Sequence, residues 1–144
     1  MKLFSFPQLI NYLSANWGHK SYECRNEPTQ ICLYVTERCT LSCKWCLRQS
    51  EPGKYVNQRS DMSFELAKRI LKYFPKATRL SLAGFGEPLM VEDLFKIIAE
   101  FKKRPMRTSI ITNGTLLLDR IHDILHAELS SISVSINSID SIDY

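Results

Sequence analysis

Ile31-Cys32-Leu33-Tyr34-Val35-Thr36-Glu37-Arg38-Cys39-Thr40-Leu41-Ser42-Cys43-Lys44-Trp45-Cys46 reads as a strand that runs directly into a loop of thiols. Ile31 to Thr36 is a short apolar run rich in β-formers, which predicts a buried strand. The cysteines that follow are spaced C-x3-C-x2-C, with an aromatic residue immediately before the last. Three thiolates on one short loop can ligate three irons of a [4Fe-4S] cube and leave the fourth iron open to a small molecule. Zinc is the competing ligand. A structural zinc site generally wants four closed ligands in two pairs, whereas here one triplet stands without a matching pair. A disulfide framework would require a secreted chain. The apolar runs of Met1 to Lys20 are broken by Pro7, Gln8, Asn11 and Asn16, so no signal peptide is read and the chain is expected in the cytoplasm with reduced thiols. Cys24 and Cys32 lie outside the triplet and receive no function; Cys32, inside an apolar run, is expected to be buried and inert.

Outward from this run, apolar periodicity alternates between strand and helix. Ser63 can cap a helix whose inner face takes Phe64, Ala67, Ile70, Leu71 and Phe74, and Pro75 forbids its continuation. Arg79 to Ala83 forms a second strand. Val91 to Lys103 carries Leu94, Phe95, Ile97, Ile98 and Phe101 at helical spacing, with Glu92 and Asp93 expected in its first turn. Arg107 to Thr112 is a third strand, Leu116 to Leu125 a third helix, and Ser131 to Asn137 a fourth strand in which Ile132, Val134 and Ile136 alternate with serines. Strands and helices in this order predict an α/β fold with a parallel sheet, connected by right-handed crossovers that bring every strand's C-terminal end to one edge. The chemically interesting residues all fall on that edge, where ligands bind in open α/β sheets and barrels.

Gly84-Phe85-Gly86-Glu87-Pro88, after the second strand, is the other informative run. Two glycines let a backbone approach a bound molecule or take up a positive φ, and Glu87 offers a fixed anion. A dinucleotide fingerprint is excluded because Leu89 stands where its third glycine would be. A plain turn stays open as an alternative.

The cysteine triplet followed by this glycine-acid run resembles the signature of the radical S-adenosylmethionine (radical SAM) superfamily, with matches at Gly86, Glu87 and Pro88. The resemblance spans about Gln30 to Ser138. It implies a partial (β/α) TIM-like barrel, a [4Fe-4S] cluster on Cys39, Cys43 and Cys46, and S-adenosyl-L-methionine chelated by the open iron and cleaved to a 5'-deoxyadenosyl radical. On the same resemblance, the run from Gly84 through Gly86 and Glu87 binds the cofactor's methionine amino group, Trp45 packs beside its adenine, and Ser135, with Asn137 behind it, reaches its ribose or carboxylate. Trp45 has the alternative role of shielding the cluster from water. Ile110-Ile111-Thr112-Asn113-Gly114 resembles the end of the family's third strand and supports the fold, an Asn-Gly turn being the alternative.

The remaining residues set limits. At 144 residues, 44% hydrophobic and 24% charged, the chain has the composition of one globular domain. The net charge is +4, yet basic residues are scattered, and the densest group, Lys102, Lys103 and Arg104, reads as the end of a helix, so no nucleic-acid partner is expected. No apolar segment suggests a membrane span. His122 and His126 share a helix face without an accompanying glutamate and read as surface histidines, and the charges of Glu37, Arg38 and Arg48 are assigned no role. The resemblance further implies an external one-electron donor of flavodoxin or ferredoxin type and a substrate of unknown class, a peptide or small metabolite. Because the family's core has about six βα units and this sequence reaches the fourth strand, residues 30–144 are expected to be an incomplete core. Residues 1–29 are expected to be a helical extension, with Phe6, Leu9, Ile10, Leu13 and Trp17 on one face. An iron–sulfur electron-transfer or regulatory module without turnover is the alternative function.

Overall fold

The structure, a computed structural model, describes residues 4–17, 26–50 and 61–138. Its elements are α1 (Phe6–Trp17), β1 (Gln30–Leu33), α2 (Leu47–Ser50), α3 (Phe64–Tyr73), β2 (Arg79–Leu82), α4 (Leu94–Lys102), β3 (Arg107–Thr112), α5 (Ile121–His126) and β4 (Ser131–Val134). The four strands form one parallel sheet in sequence order, each paired with the next. This is the parallel α/β sheet that the alternation of periods predicts, in the partial TIM-like form that the resemblance implies.

Burial alternates along β1, β2 and β3 because helices cover one face, whereas β4 is exposed throughout. Ile31 and Leu33, Leu80 and Leu82, and Thr108, Ile110 and Thr112 point into a core shared with Ala67 and Leu71 of α3 and with Leu94, Ile97, Ile98 and Phe101 of α4. The opposite face carries Cys32, Ser81, Ser109 and Ser131, which stand side by side in register across the sheet. In a barrel with its helices outside, that face turns inward. Cys32 is therefore exposed rather than buried, and β1 is covered on one face where a wholly buried strand was expected. Cys24 lies outside the described residues.

Several boundaries differ from the sequence expectation for local reasons. β1 ends at Leu33, with Ala83 N–H donating to the Leu33 carbonyl as the chains part, although Val35 and Thr36 stay buried. A 3-10 turn at Pro88–Met90 precedes α4, so Glu92 and Asp93 stand before the helix instead of in its first turn, and Asp93 pairs with Lys96 at 2.7 Å. Leu116 to Arg120 forms turns rather than helix, and α5 begins only at Ile121. β4 ends at Val134, and its Ile132 and Val134 are exposed on the sheet's outer edge, as is Ile136 beyond it. The expected cap of α3 is present: Ser63 Oγ accepts from Leu66 N–H at 3.2 Å.

α1 forms where its periodicity places it, but with the other side inward. Gln8 and Asn11 are its buried residues, while Phe6, Leu9, Ile10 and Trp17 are exposed. Polar side chains hold it: Gln8 Nε2 donates to the Ala77 carbonyl at 3.0 Å, and Asn11 exchanges two 3.1 Å hydrogen bonds with the Glu27 backbone. Ala77 and Glu27 both precede strands, so α1 sits at the strands' entry end, away from the thiols. The basic group at the end of α4 is engaged within the fold. Lys102 caps the Ala127 carbonyl at 2.9 Å, Lys103 pairs with Glu100 at 2.6 Å, and Arg104 donates to the Leu71 carbonyl at 2.9 Å. No helix among the described residues is long and apolar enough to cross a membrane.

Candidate cluster and cofactor site

The loops after β1, β2 and β3 meet at the C-terminal edge of the sheet and are tied into a ring. Gly86 lets the β2 loop lie against the start of the cysteine loop: a Cβ there would stand 2.3 Å from the Thr36 carbonyl oxygen and 2.7 Å from that of Arg38. At this approach Glu87 N–H donates to the Arg38 carbonyl at 2.7 Å. The Glu87 side chain turns the other way, into the protein, and is 1% exposed. Its Oε1 accepts from Leu89 N–H at 3.0 Å and from the Thr112 hydroxyl at 2.7 Å, and its Oε2 accepts from Asn113 N–H at 2.7 Å. The Asn113 side chain then reaches back to the cysteine loop, donating from Nδ2 to Thr40 Oγ1 at 3.0 Å and lying 3.4 Å from Cys39 Sγ. Thr40 and Thr115 hydroxyls meet at 2.6 Å beside it.

Two arginines fix the cysteine loop from its other sides. Arg38 forms a bidentate pair with Asp61 and donates from Nη2 to the Met90 carbonyl at 2.9 Å. Asp61 Oδ1 also accepts from the Thr36 hydroxyl at 2.7 Å. The Arg38 hydrogen bonds hold the Asp61 carboxyl below the usual carboxylate range, and Asp61 raises the guanidinium in return. Arg48 spans the loop, donating to the Glu37 carbonyl at 3.0 Å and the Leu41 carbonyl at 2.8 Å. Sequence reasoning gave Arg38 and Arg48 no role and did not find Asp61 at all. No spacing rule links Asp61 to Arg38; the one available signal is that two arginines flank a loop whose backbone carbonyls need donors.

Cys39, Cys43 and Cys46 are partly exposed on this loop and are not in disulfides. Cys46 N–H donates to the Cys43 carbonyl at 3.0 Å, turning the C-x2-C segment. Among the described residues, no three His, Cys, Asp or Glu side chains form a group that could hold one metal ion. Three thiolates on one loop suit a cube in which each ligates a different iron, and fall short of the four ligands of a closed zinc site. The donor set, the partial exposure and the loop position fit a [4Fe-4S] cluster.

The other expected site residues lie nearby or at the same edge. Gly84 takes a φ of +147°, and a Cβ on it would meet the Tyr34 ring at 2.8 Å. Tyr34 packs edge-on against Phe85, with centroids 5.7 Å apart. Trp45 is 74% exposed on the cysteine loop. Ser135 is half-buried, its N–H donating to the Thr112 carbonyl at 2.8 Å, and Asn137 is exposed beyond it. His122 and His126 are exposed, and the His126 ring contacts the His122 carbonyl.

Over residues 33–142 the chain matches the sequence profile of the Radical SAM superfamily. It is 33% identical over 117 residues to a probable GTP 3',8-cyclase of Methanopyrus kandleri, covering 79% of this chain and 36% of that protein. It is 30% identical over 136 residues to the FeMo cofactor biosynthesis protein NifB of Methanocaldococcus infernus, covering 83% and 45%. A tungsten-containing aldehyde ferredoxin oxidoreductase cofactor-modifying protein of Pyrococcus furiosus is 34% identical over 92 residues, covering 62% and 25%. The chain thus spans from a quarter to under half the length of these relatives. Its fold resembles that of BtrN, solved in complex with AdoMet and 2-DOIA, with a TM-score of 0.59 at 21% identity, covering 74% of this chain and 44% of that one.

Proposed function

The chain belongs to the radical SAM superfamily, whose members bind a [4Fe-4S] cluster and S-adenosylmethionine, and from this we propose that it is a radical SAM enzyme or the N-terminal part of one. Cys39, Cys43 and Cys46 hold the cluster, and the strand-end loops receive the cofactor. When bound, the two together supply reductive cleavage of a carbon–sulfur bond and a 5'-deoxyadenosyl radical. The observation that carries this reading is the ring in which Glu87 and Asn113 fasten the thiol loop to the ends of β2 and β3. Such a ring fixes the thiols against the loops that must hold a cofactor, and a plain surface turn has no need of it.

Each residue in the ring has a separate task. Gly86 and the Glu87 N–H seat the β2 loop on the cysteine loop, and the buried Glu87 carboxylate fastens the β2 loop to the end of β3. The backbone around Gly84 and Phe85 is then the part of the turn that meets the cofactor's methionine end. Ser135 and Asn137 take its ribose or carboxylate from the fourth strand, and Trp45 covers the adenine. Residues 30–144 act as part of the core and 1–29 as an extension beneath it. A one-electron donor of flavodoxin or ferredoxin type, a reducing cytoplasm, and a peptide or small-metabolite substrate complete the reading.

Anaerobic reconstitution with iron and sulfide tests it. About four irons and four sulfides per chain are expected, with 5'-deoxyadenosine released from S-adenosylmethionine after reduction. Both are lost when the three cysteines become alanine. One zinc and no acid-labile sulfide would overturn the reading. A formed cluster without product would favour the electron-transfer or regulatory module.

A further inference from the structure

We infer that the Asn113 side-chain amide donates an N–H···S hydrogen bond to Cys39 and thereby sets the reduction potential of the cluster bound there; this rests on the cluster assignment proposed above. The direction of the amide is fixed by its other end. Asn113 Oδ1 accepts from the Thr115 backbone N–H at 3.0 Å and from the Thr115 hydroxyl at 2.8 Å. A backbone N–H can only donate, so the edge facing Thr115 is the oxygen, and the edge facing Cys39 Sγ at 3.4 Å is the NH2 group. The second hydrogen of that group serves Thr40 Oγ1 at 3.0 Å.

The backbone beneath is fixed as well. Asn113 N–H is held by Glu87 Oε2 at 2.7 Å, and Gly114, at φ +85°, turns the chain with its N–H on Thr112 Oγ1 at 3.0 Å. The backbone that carries the donor is thus preorganised by the buried side chains of Glu87, from the β2 loop, and of Thr112, at the end of β3. An Asn-Gly turn alone uses the oxygen of its asparagine; it gives no reason for the nitrogen to point at a sulfur.

A hydrogen bond to a ligating sulfur withdraws electron density from it and favours the cluster state with one more electron, and such bonds are among the factors that set cluster potentials. The step concerned is the uptake of one electron from the external donor, with no bond made or broken at Asn113. Asn113 is therefore a positioning residue that acts through Cys39.

The test is an anaerobic redox titration of the reconstituted full chain, followed by electron paramagnetic resonance, comparing wild type with Asn113→Asp. Aspartate keeps the oxygen that accepts from Thr115 and replaces the donor facing Cys39 with a second acceptor. The expected result is unchanged iron content and at least a tenfold lower reduced-to-oxidised ratio at fixed poise, a negative shift of about 59 mV for one electron. Thr115→Val, which loses the hydroxyl but keeps the backbone N–H that sets the direction of the amide, should leave the potential in place. A loaded Asn113→Asp variant with the wild-type potential would overturn the inference while leaving the cluster assignment standing. Should the variant fail to load, wild type labelled with 15N at its asparagine amides decides. A 15N coupling to the reduced cluster is expected, and its absence overturns the inference. A wild type that takes up no cluster overturns both.

Discussion

At Gly86 the nearest obstacles to a side chain are two carbonyl oxygens of the cysteine loop. Backbone atoms cannot rotate away as side chains do, so Gly86→Ala must separate the β2 loop from the cysteine loop and stretch the hydrogen bond from Glu87 N–H to Arg38. A loss of roughly 1–3 kcal/mol is expected, typical of overpacking, read as a lower urea midpoint with unchanged m. Retained stability would mean that the two loops can part freely. At Gly84 the obstacle is the Tyr34 ring, which can move, and the strain of Gly84→Ala comes mainly from its φ of +147°. The glycine requirement was legible in the sequence, which suggested approach to a bound molecule. The approach found at Gly86 is to the protein's own backbone, a contact between residues far apart in the chain that no local pattern encodes.

Among the elements, the approach to α3 is held by an ion pair and by Met62 N–H, which donates to the Val35 carbonyl at 2.7 Å. Asp61 lies just before the Ser63 cap and ties this approach to Thr36 and Arg38 in the loop after β1. Because the folded carboxyl is held below its unfolded value, the unfolded chain binds the proton more readily. The stabilisation is therefore fully present above an unfolded value of about 3.9 and is lost as pH falls through the lower folded value. Asp61→Asn should cost about 1–2 kcal/mol at neutral pH, in the range for charge-assisted hydrogen bonds that are partly exposed. The gap between variant and wild type should close in melting curves taken in progressively stronger acid. A gap that persisted at low pH would show that packing, not the charge, is what Asn disturbs. The helix α3 and strand β3 were readable from periodicity, cap and proline. The pair that anchors α3 was not, since its partners are separated by a long intervening segment.

For the whole molecule, the sheet's two faces and its outer edge decide behaviour. β4 pairs with β3 on one side, and Ile132 and Val134 are exposed beside its other edge. Unpaired parallel strands with apolar side chains invite pairing with another chain. The 144-residue chain on its own should self-associate with rising concentration, and Val134→Lys should reduce this in light scattering without lowering the melting temperature by more than a few degrees. Equal association of both forms would locate the sticky surface elsewhere, the outward apolar face of α1 being the next place to examine.

The sequence by itself determined the order of strands and helices, the edge on which the chemistry gathers and the three thiols, because periodicity, capping residues and ligand spacing are properties of neighbours along the chain. Tertiary structure alone decided that Cys32 lies open, that α1 turns its amides inward, and that Glu87 faces the protein with Asn113 reaching Cys39. Each of these depends on which atoms a folded neighbour leaves uncovered or unsatisfied, and those neighbours come from distant segments brought together only when the sheet forms.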